Sequence, residues 1–172
     1  MATYKFKVCI VGEPMVGKTS LIKRFVYNMF SDKYIMTIGT NIYKKSLSIA
    51  GNTVHLMLWD VMGNAGFRNI LKTAYFYGAD GLFVVGDLTR PETFESLPDW
   101  VESAIEGAGK ELPLILLANK SDLEWKVSED DVANLAAELF AQGYFITSAK
   151  TGENVERAFR EMARILVRTA RK

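Results

Sequence analysis

The chain has 172 residues, with 21 Lys and Arg against 20 Asp and Glu and a formal net charge of +1. That length suggests one domain with a full core, and the balanced charge lacks the basic excess that nucleic-acid binding uses, although Arg164 to Lys172 is locally basic. No apolar stretch reaches the ~18 residues of a membrane span and no signal-peptide pattern is present; the one cysteine, Cys9, cannot make an internal disulfide, reads as a small core side chain and fits a reducing, cytoplasmic compartment.

Lys5 to Val11 reads as a short buried strand. Behind Thr19, Leu21, Ile22, Phe25 and Met29 recur at helical spacing. Phe30 to Thr40 is polar and irregular, a loop. Asn41 to Ile49 and Val54 to Asp60 alternate with period two, and Gly51-Asn52 suits a tight antiparallel turn between them. Leu47, Ile49, Val54, Leu56 and Leu58 are their apolar set, which leaves His55 facing outward. Val61 to Asn69 is interrupted by glycine and reads as a loop. Gly81 to Gly86 is a buried strand closed by Asp87. Pro91 suits the first helical position of the next helix, whose inner face is Phe94, Leu97, Trp100, Val101, Ala104 and Ile105, with Pro98 an irregularity. Leu114 to Ala118 is another buried strand. Ser128 can cap a helix with Val132, Leu135, Ala136, Leu139 and Phe140 inward. Gly143 ends that helix, and Tyr144 to Ile146 makes a short strand. The last helix buries Val155, Ala158, Phe159, Met162, Ile165, Leu166 and Thr169. Strands alternating with helices predict an α/β fold with a mostly parallel sheet covered on both faces.

Gly12 to Thr19 reads GEPMVGKT directly after the first strand, the pattern G-x-x-x-x-G-K-[ST] in the strand-to-helix setting that gives it meaning. Gly12 and Gly17 let the backbone N–H groups of a loop through Pro14, Met15 and Val16 approach phosphate oxygens. Lys18 supplies a cation and Thr19 an oxygen for Mg²⁺. The helix beginning near Thr19 and Ser20 points its positive end at the anion. In such a sheet, ligands bind at the carboxyl ends of the strands. Asp60 ends one strand and is followed by Gly63, giving D-x-x-G: the carboxylate can hold Mg²⁺ directly or through water, and the Gly63 N–H can approach a terminal phosphate. Asn119, Lys120 and Asp122 end another strand as N-K-S-D. The Asp122 carboxylate can accept two hydrogen bonds from a guanine, which adenine cannot donate; by itself the same four residues also suit an ordinary surface turn. Ser148-Ala149-Lys150, at the end of the last strand, can buttress the base.

In this order and spacing the four motifs resemble the Ras superfamily of small GTPases, and Y-I-M-T-I-G at 34–39 with D-L-T at 87–89 resembles its Rab branch. The resemblance implies a Ras-like P-loop fold: six strands, mostly parallel with one antiparallel, and five helices on both faces. It implies GTP/GDP switching with Mg²⁺. It makes Thr37 a ligand of Mg²⁺ and of the γ-phosphate in the GTP state, packs Phe30 against guanine and lays Tyr34 over the phosphates. It also implies an exchange factor, an activating protein and effectors engaging residues 30–45 and 60–77 of a monomer.

The chain departs from that family at several positions. Asn64 stands where the family carries the Gln that orients the attacking water, so slow intrinsic hydrolysis is expected. Met62 replaces a small residue, Ala65 and Gly66 replace polar and charged ones, and Pro14 removes a backbone N–H from the phosphate loop. The chain ends in RTARK without a terminal cysteine motif, so peripheral membrane association is expected only through a tail outside these residues. Two other readings stay open: a non-hydrolysing GTP-binding interaction module held in one state by Asn64 and Met62, and the nucleotide domain of a larger regulatory protein.

Overall fold

Phe6, Val8 and Ile10 line one face of strand β1 (Thr3–Val11), and Cys9 and Val11 line the other, so the strand is buried on both sides. That is the pattern of a central parallel strand. The computed structural model describes residues 1–33, 40–63 and 65–172. Among these, β1 pairs in parallel with β3 (Asn52–Val61) on one side and β4 (Gly81–Asp87) on the other. Strand β2 (Thr40–Ile49) adds antiparallel to β3, while β5 (Leu114–Asn119) and β6 (Gly143–Ile146) extend the parallel sheet. The sheet order is β2-β3-β1-β4-β5-β6.

Helices α1 (Lys18–Tyr27) and α6 (Val155–Ala170) cover the Phe6–Val8–Ile10 face. The opposite face is covered by α2 (Ala65–Phe76), α4 (Leu97–Ala108) and α5 (Glu129–Glu138). A single turn, α3 (Glu92–Glu95), is parted from α4 by Ser96 alone, so the two make one broken helix and the layers hold five. Pro98 sits in the first turn of α4, where its missing N–H costs nothing. Pro91 has helical backbone angles but stands one residue ahead of α3, as its cap.

The structure corrects the expected pattern where helices end or begin. Asn28 takes a left-handed conformation (φ 54°) and stops α1 at Tyr27, so Met29 leaves the apolar stripe and is 64 % exposed. Phe140 (φ 55°) likewise follows the end of α5 and is 88 % exposed rather than inward. Thr169 is exposed, bonding back to the Ile165 carbonyl at 2.9 Å, and Ala163 and Val167 join the inner face of α6 instead. The expected loop from Val61 to Asn69 is shorter, because β3 runs to Val61 and α2 begins at Ala65. Gly143 belongs to β6. As expected, Ser128 caps α5, its Oγ accepting from the Asp131 N–H at 3.1 Å. Cys9 is fully buried beside the Tyr75 carbonyl, and burial pushes its thiol up to about 12, an inert core side chain.

Phe159 of α6 joins these layers. Its ring stacks on Phe25 of α1 at 4.3 Å between centroids and meets Phe83 of β4 at 4.7 Å. Phe159→Ala should destabilise the chain by about 3–5 kcal/mol, the range for emptying a buried aromatic site. Urea titration should show this as a lower midpoint at unchanged slope.

Candidate nucleotide-binding site

The sheet order places the ends of β3, β1, β4, β5 and β6 along one edge, with the chain crossing from one side of β1 to the other between β3 and β4. A crevice opens at such a reversal. The loop after β1 is held there by its carbonyls. Arg90 Nη2 donates to the Pro14 carbonyl at 2.9 Å, Lys120 Nζ to the Met15 carbonyl at 2.7 Å, and Asn119 Nδ2 to the Val16 carbonyl at 2.9 Å. The described backbone has no cis peptides. In a trans peptide the C=O and the following N–H point in opposite directions. Tying those three carbonyls toward β4 and β5 therefore aims the N–H groups of Met15, Val16 and Gly17 the other way, as a row of donors fit for an anion. Only glycine suits the end of this row: Gly17 has φ 102°, and a Cβ there would lie 2.3 Å from Asn119 Nδ2. Lys18 opens α1, is buried, and folds back to donate to the Gly12 and Glu13 carbonyls at 2.9 and 2.8 Å.

Next to this loop, Thr19 Oγ1 donates to Oδ2 of the fully buried Asp60, and half-buried Ser20 follows in the first turn of α1. The described residues contain no cluster of three His, Cys, Asp or Glu that could hold a metal. A hydroxyl touching a single carboxylate is the donor set that suits Mg²⁺, which binds few protein oxygens and keeps phosphate and water ligands. Gly63 lies directly on the loop: a Cβ there would stand 2.7 Å from the Pro14 nitrogen and 2.9 Å from the Gly12 carbonyl oxygen.

The other end of the site is built by β5 and β6. Asn119 is buried, and its Oδ1 accepts from Thr147 Oγ1 at 3.1 Å. Ser148 Oγ donates to Asp122 Oδ1 at 2.7 Å and so fixes the exposed carboxylate. Arg24 of α1 holds the following backbone, donating to the Ala149 carbonyl at 2.8 Å and the Lys150 carbonyl at 2.6 Å. Gly12, Pro14 to Ser20, Asp60, Gly63, Asn119, Lys120, Asp122 and Ser148 to Lys150 therefore meet along one edge. Phe30 stands exposed beyond the end of α1. The expectations for Tyr34, Thr37 and Asn64 lie outside the described residues.

A sequence model of the Ras family matches residues 7–168, nearly the whole chain. This chain belongs to the Ras family. Its curated relatives place it in the Rab branch. It is similar to the Ras-related protein Rab-13 of Rattus norvegicus, 39 % identical over 167 residues that span 95 % of this chain and 81 % of the relative. It is also similar to the Ras-related protein Rab-21 of Bos taurus, at 35 % over 98 % of this chain and 76 % of the relative. The Ras-related protein SEC4 of Saccharomyces cerevisiae is 36 % identical over 93 % of this chain and 74 % of its own length. Ras-family membership makes the chain a GTP-binding molecular switch and a GTP hydrolase, working with regulators and effectors. No helix among the described residues is long and apolar enough to cross a membrane.

Several residues of this Ras-family site were not singled out in the sequence. Asp87, read there only as the close of a strand and part of D-L-T, is fully buried at the end of β4. It accepts from Thr89 N–H and Oγ1 at 2.8 and 2.7 Å, from Arg90 Nε at 3.0 Å and from Lys120 Nζ at 2.8 Å. Burial alone would raise its carboxyl; hydrogen bonds from Lys120, Thr89 and Arg90 outweigh that and hold it below the ordinary range. Glu13 reaches Trp100 Nε1 at 3.4 Å, and Arg24 and Thr147 act as described. The strand-end rule that flagged Asp60 could have found Asp87. Nothing in the residue pattern marks Arg24 or Arg90, because both act on backbone carbonyls.

Lys18 gives the site a pH dependence. Burial pushes its ammonium down to about 8, against the opposing pull of Asp60 and Glu13 and with a further push from Arg90. A bound polyphosphate favours the charged form, so binding takes up a proton once the free lysine has lost one. Affinity for GDP should be level below about pH 8 and fall by about tenfold between pH 7 and 9. Equilibrium titration of the nucleotide at both pH values checks this; equal affinities would remove Lys18 from the anion site.

Proposed function

We propose that the chain is a single-domain, monomeric Rab-type switch that binds GTP and GDP with Mg²⁺ and hydrolyses GTP slowly without a partner. One observation supports this most. Asn119 and Lys120 of N-K-S-D hold the Val16 and Met15 carbonyls of the phosphate loop at 2.9 and 2.7 Å, which joins the two halves of a nucleotide site. A surface turn that merely happened to read N-K-S-D would carry no such tie.

In this reading the loop from Gly12 through Pro14 to Ser20 takes the phosphates. The N–H groups of Met15, Val16 and Gly17 and the Lys18 ammonium face their charge. Asp122, fixed by Ser148, accepts from the guanine edge, with Ala149 and Lys150 beside it and Phe30 against the ring. Thr19, Asp60 and Thr37 would hold Mg²⁺, which would supply positive charge to offset that of the phosphates. Tyr34 covers the phosphates. The Gly63 N–H binds the γ-phosphate, and Asn64 orients the attacking water with a side chain about one methylene shorter than glutamine. Loss of the γ-phosphate releases both switch loops, an order-to-disorder output read through residues 30–45 and 60–77 by exchange, activating and effector proteins. Those partners tie the switch to vesicle traffic, in the cytoplasm or on membranes reached through a tail.

The test loads the protein with GTP and Mg²⁺ and follows GDP formation over hours, beside Asn64→Gln. The expected result is slow turnover that the substitution speeds by about tenfold or more, as restored reach to the attacking water requires. Brisk turnover by the unsubstituted chain would give water positioning to another group. No turnover in either protein would favour the non-hydrolysing module.

A further inference from the structure

Pro14 and Met15 occupy the middle of the turn from Glu13 to Val16. Met15 has φ 66°, a left-handed conformation that a residue with a side chain adopts at a cost. In a four-residue turn, rotating the central peptide plane moves the third residue between positive and negative φ. Turning the Pro14–Met15 plane over would therefore relieve Met15. It would also swing the Met15 N–H toward Arg90 and away from the side where Val16 and Gly17 present theirs. Something must hold this plane against its local preference. The plane carries two polar groups, the Pro14 carbonyl and the Met15 N–H, and the carbonyl is the handle on the side of β4.

Arg90 grips that handle. Its Nη2 donates to the Pro14 carbonyl at 2.9 Å while its Nε donates to Asp87 Oδ2 at 3.0 Å. The anchor is itself held on several sides. Asp87 is fully buried and accepts from Thr89 and Lys120 as well. Thr93 Oγ1 accepts from the Asp87 N–H at 2.8 Å and donates to the Arg90 carbonyl at 2.7 Å, so Arg90 is fixed through its backbone and its guanidinium. The geometry points to Arg90, oriented by Asp87, as a positioning residue that locks the Pro14–Met15 peptide with the Met15 N–H turned to the phosphates and so slows nucleotide release. This rests on the guanine-nucleotide reading above. It assigns Arg90 no contact with the nucleotide.

The experiment measures release of a fluorescent GDP analogue from Mg²⁺-loaded protein into excess unlabelled GDP. Arg90→Ala should release it about tenfold faster, the scale of one hydrogen bond to a charged group. Arg90→Gln, which keeps much of the stem but cannot make both bonds, should behave alike. Met15→Gly in the Arg90→Ala background is the decisive variant: glycine accepts positive φ without cost, so release should slow back toward the wild-type rate. A role for Arg90 in packing alone would show no such rescue. An unchanged rate in both Arg90 variants, or faster release that Met15→Gly does not slow, overturns the inference while leaving the guanine-nucleotide reading intact. A wild-type protein that takes up no GDP analogue overturns both.

Discussion

Three carbonyls decide the shape of the phosphate site. Those of Pro14, Met15 and Val16 are each drawn to one side by Arg90, Lys120 and Asn119. Peptide planarity then fixes three successive N–H groups on the other side. The three donors come from the ends of β4, which pairs with β1, and of β5, the next strand out in the order β3-β1-β4-β5. The buried faces of β1, with Phe6, Val8 and Ile10 under α1 and α6 and Cys9 and Val11 under the opposite layer, keep that order. Core and site are thus one construction: hydrophobic burial sets the strands, the strand ends present the polar groups, and those groups aim the backbone.

Two of the buried charges near the loop, Asp87 and Lys18, are treated in opposite ways. Asp87 is compensated where it sits, by two cations and by Thr89. That makes it a fixed post, since protonating or moving it would leave Arg90 and Lys120 without their shared partner. Lys18 is set against backbone carbonyls, with Asp60 and Glu13 offsetting only part of its burial. A cation held this way favours an incoming polyanion more than a well-paired surface lysine would. The site therefore joins a rigid half, built on Asp87, Asn119 and Thr147, to an electrostatically responsive half at Lys18, Thr19 and Asp60. A switch needs both: a frame that stays and a charge that answers the ligand.

Most of the fold, and the motifs that it gathers along one edge of the sheet, were legible in the sequence for a definite reason. GEPMVGKT, D-x-x-G and N-K-S-D name side chains, or the lack of them, that the chemistry itself requires, so residue identity carries the signal. The positions misread were ends of elements. Met29 and Phe140 fit the helical spacing, but Asn28 and Phe140 itself turn left-handed and end the stripe. Glycines at 63 and 66 suggested a longer loop than the one that α2 leaves. Arg24 and Arg90 were unreadable for another reason: they act on backbone carbonyls of distant residues, and a carbonyl looks the same in every sequence.

Asn119 and Lys120 join the phosphate loop to N-K-S-D, and in the proposed function that join presents Asp122 to a guanine. The most direct measurement compares the equilibrium affinities of the protein for GDP and ADP, with Mg²⁺, before and after Asp122→Ala. The unsubstituted chain should prefer GDP by a factor on the order of 10⁴, the discrimination of a site built around matched hydrogen bonds. Asp122→Ala should narrow that preference by about 10- to 100-fold, chiefly through weaker GDP binding. Equal affinities for the two nucleotides, or a preference untouched by the substitution, would contradict that reading.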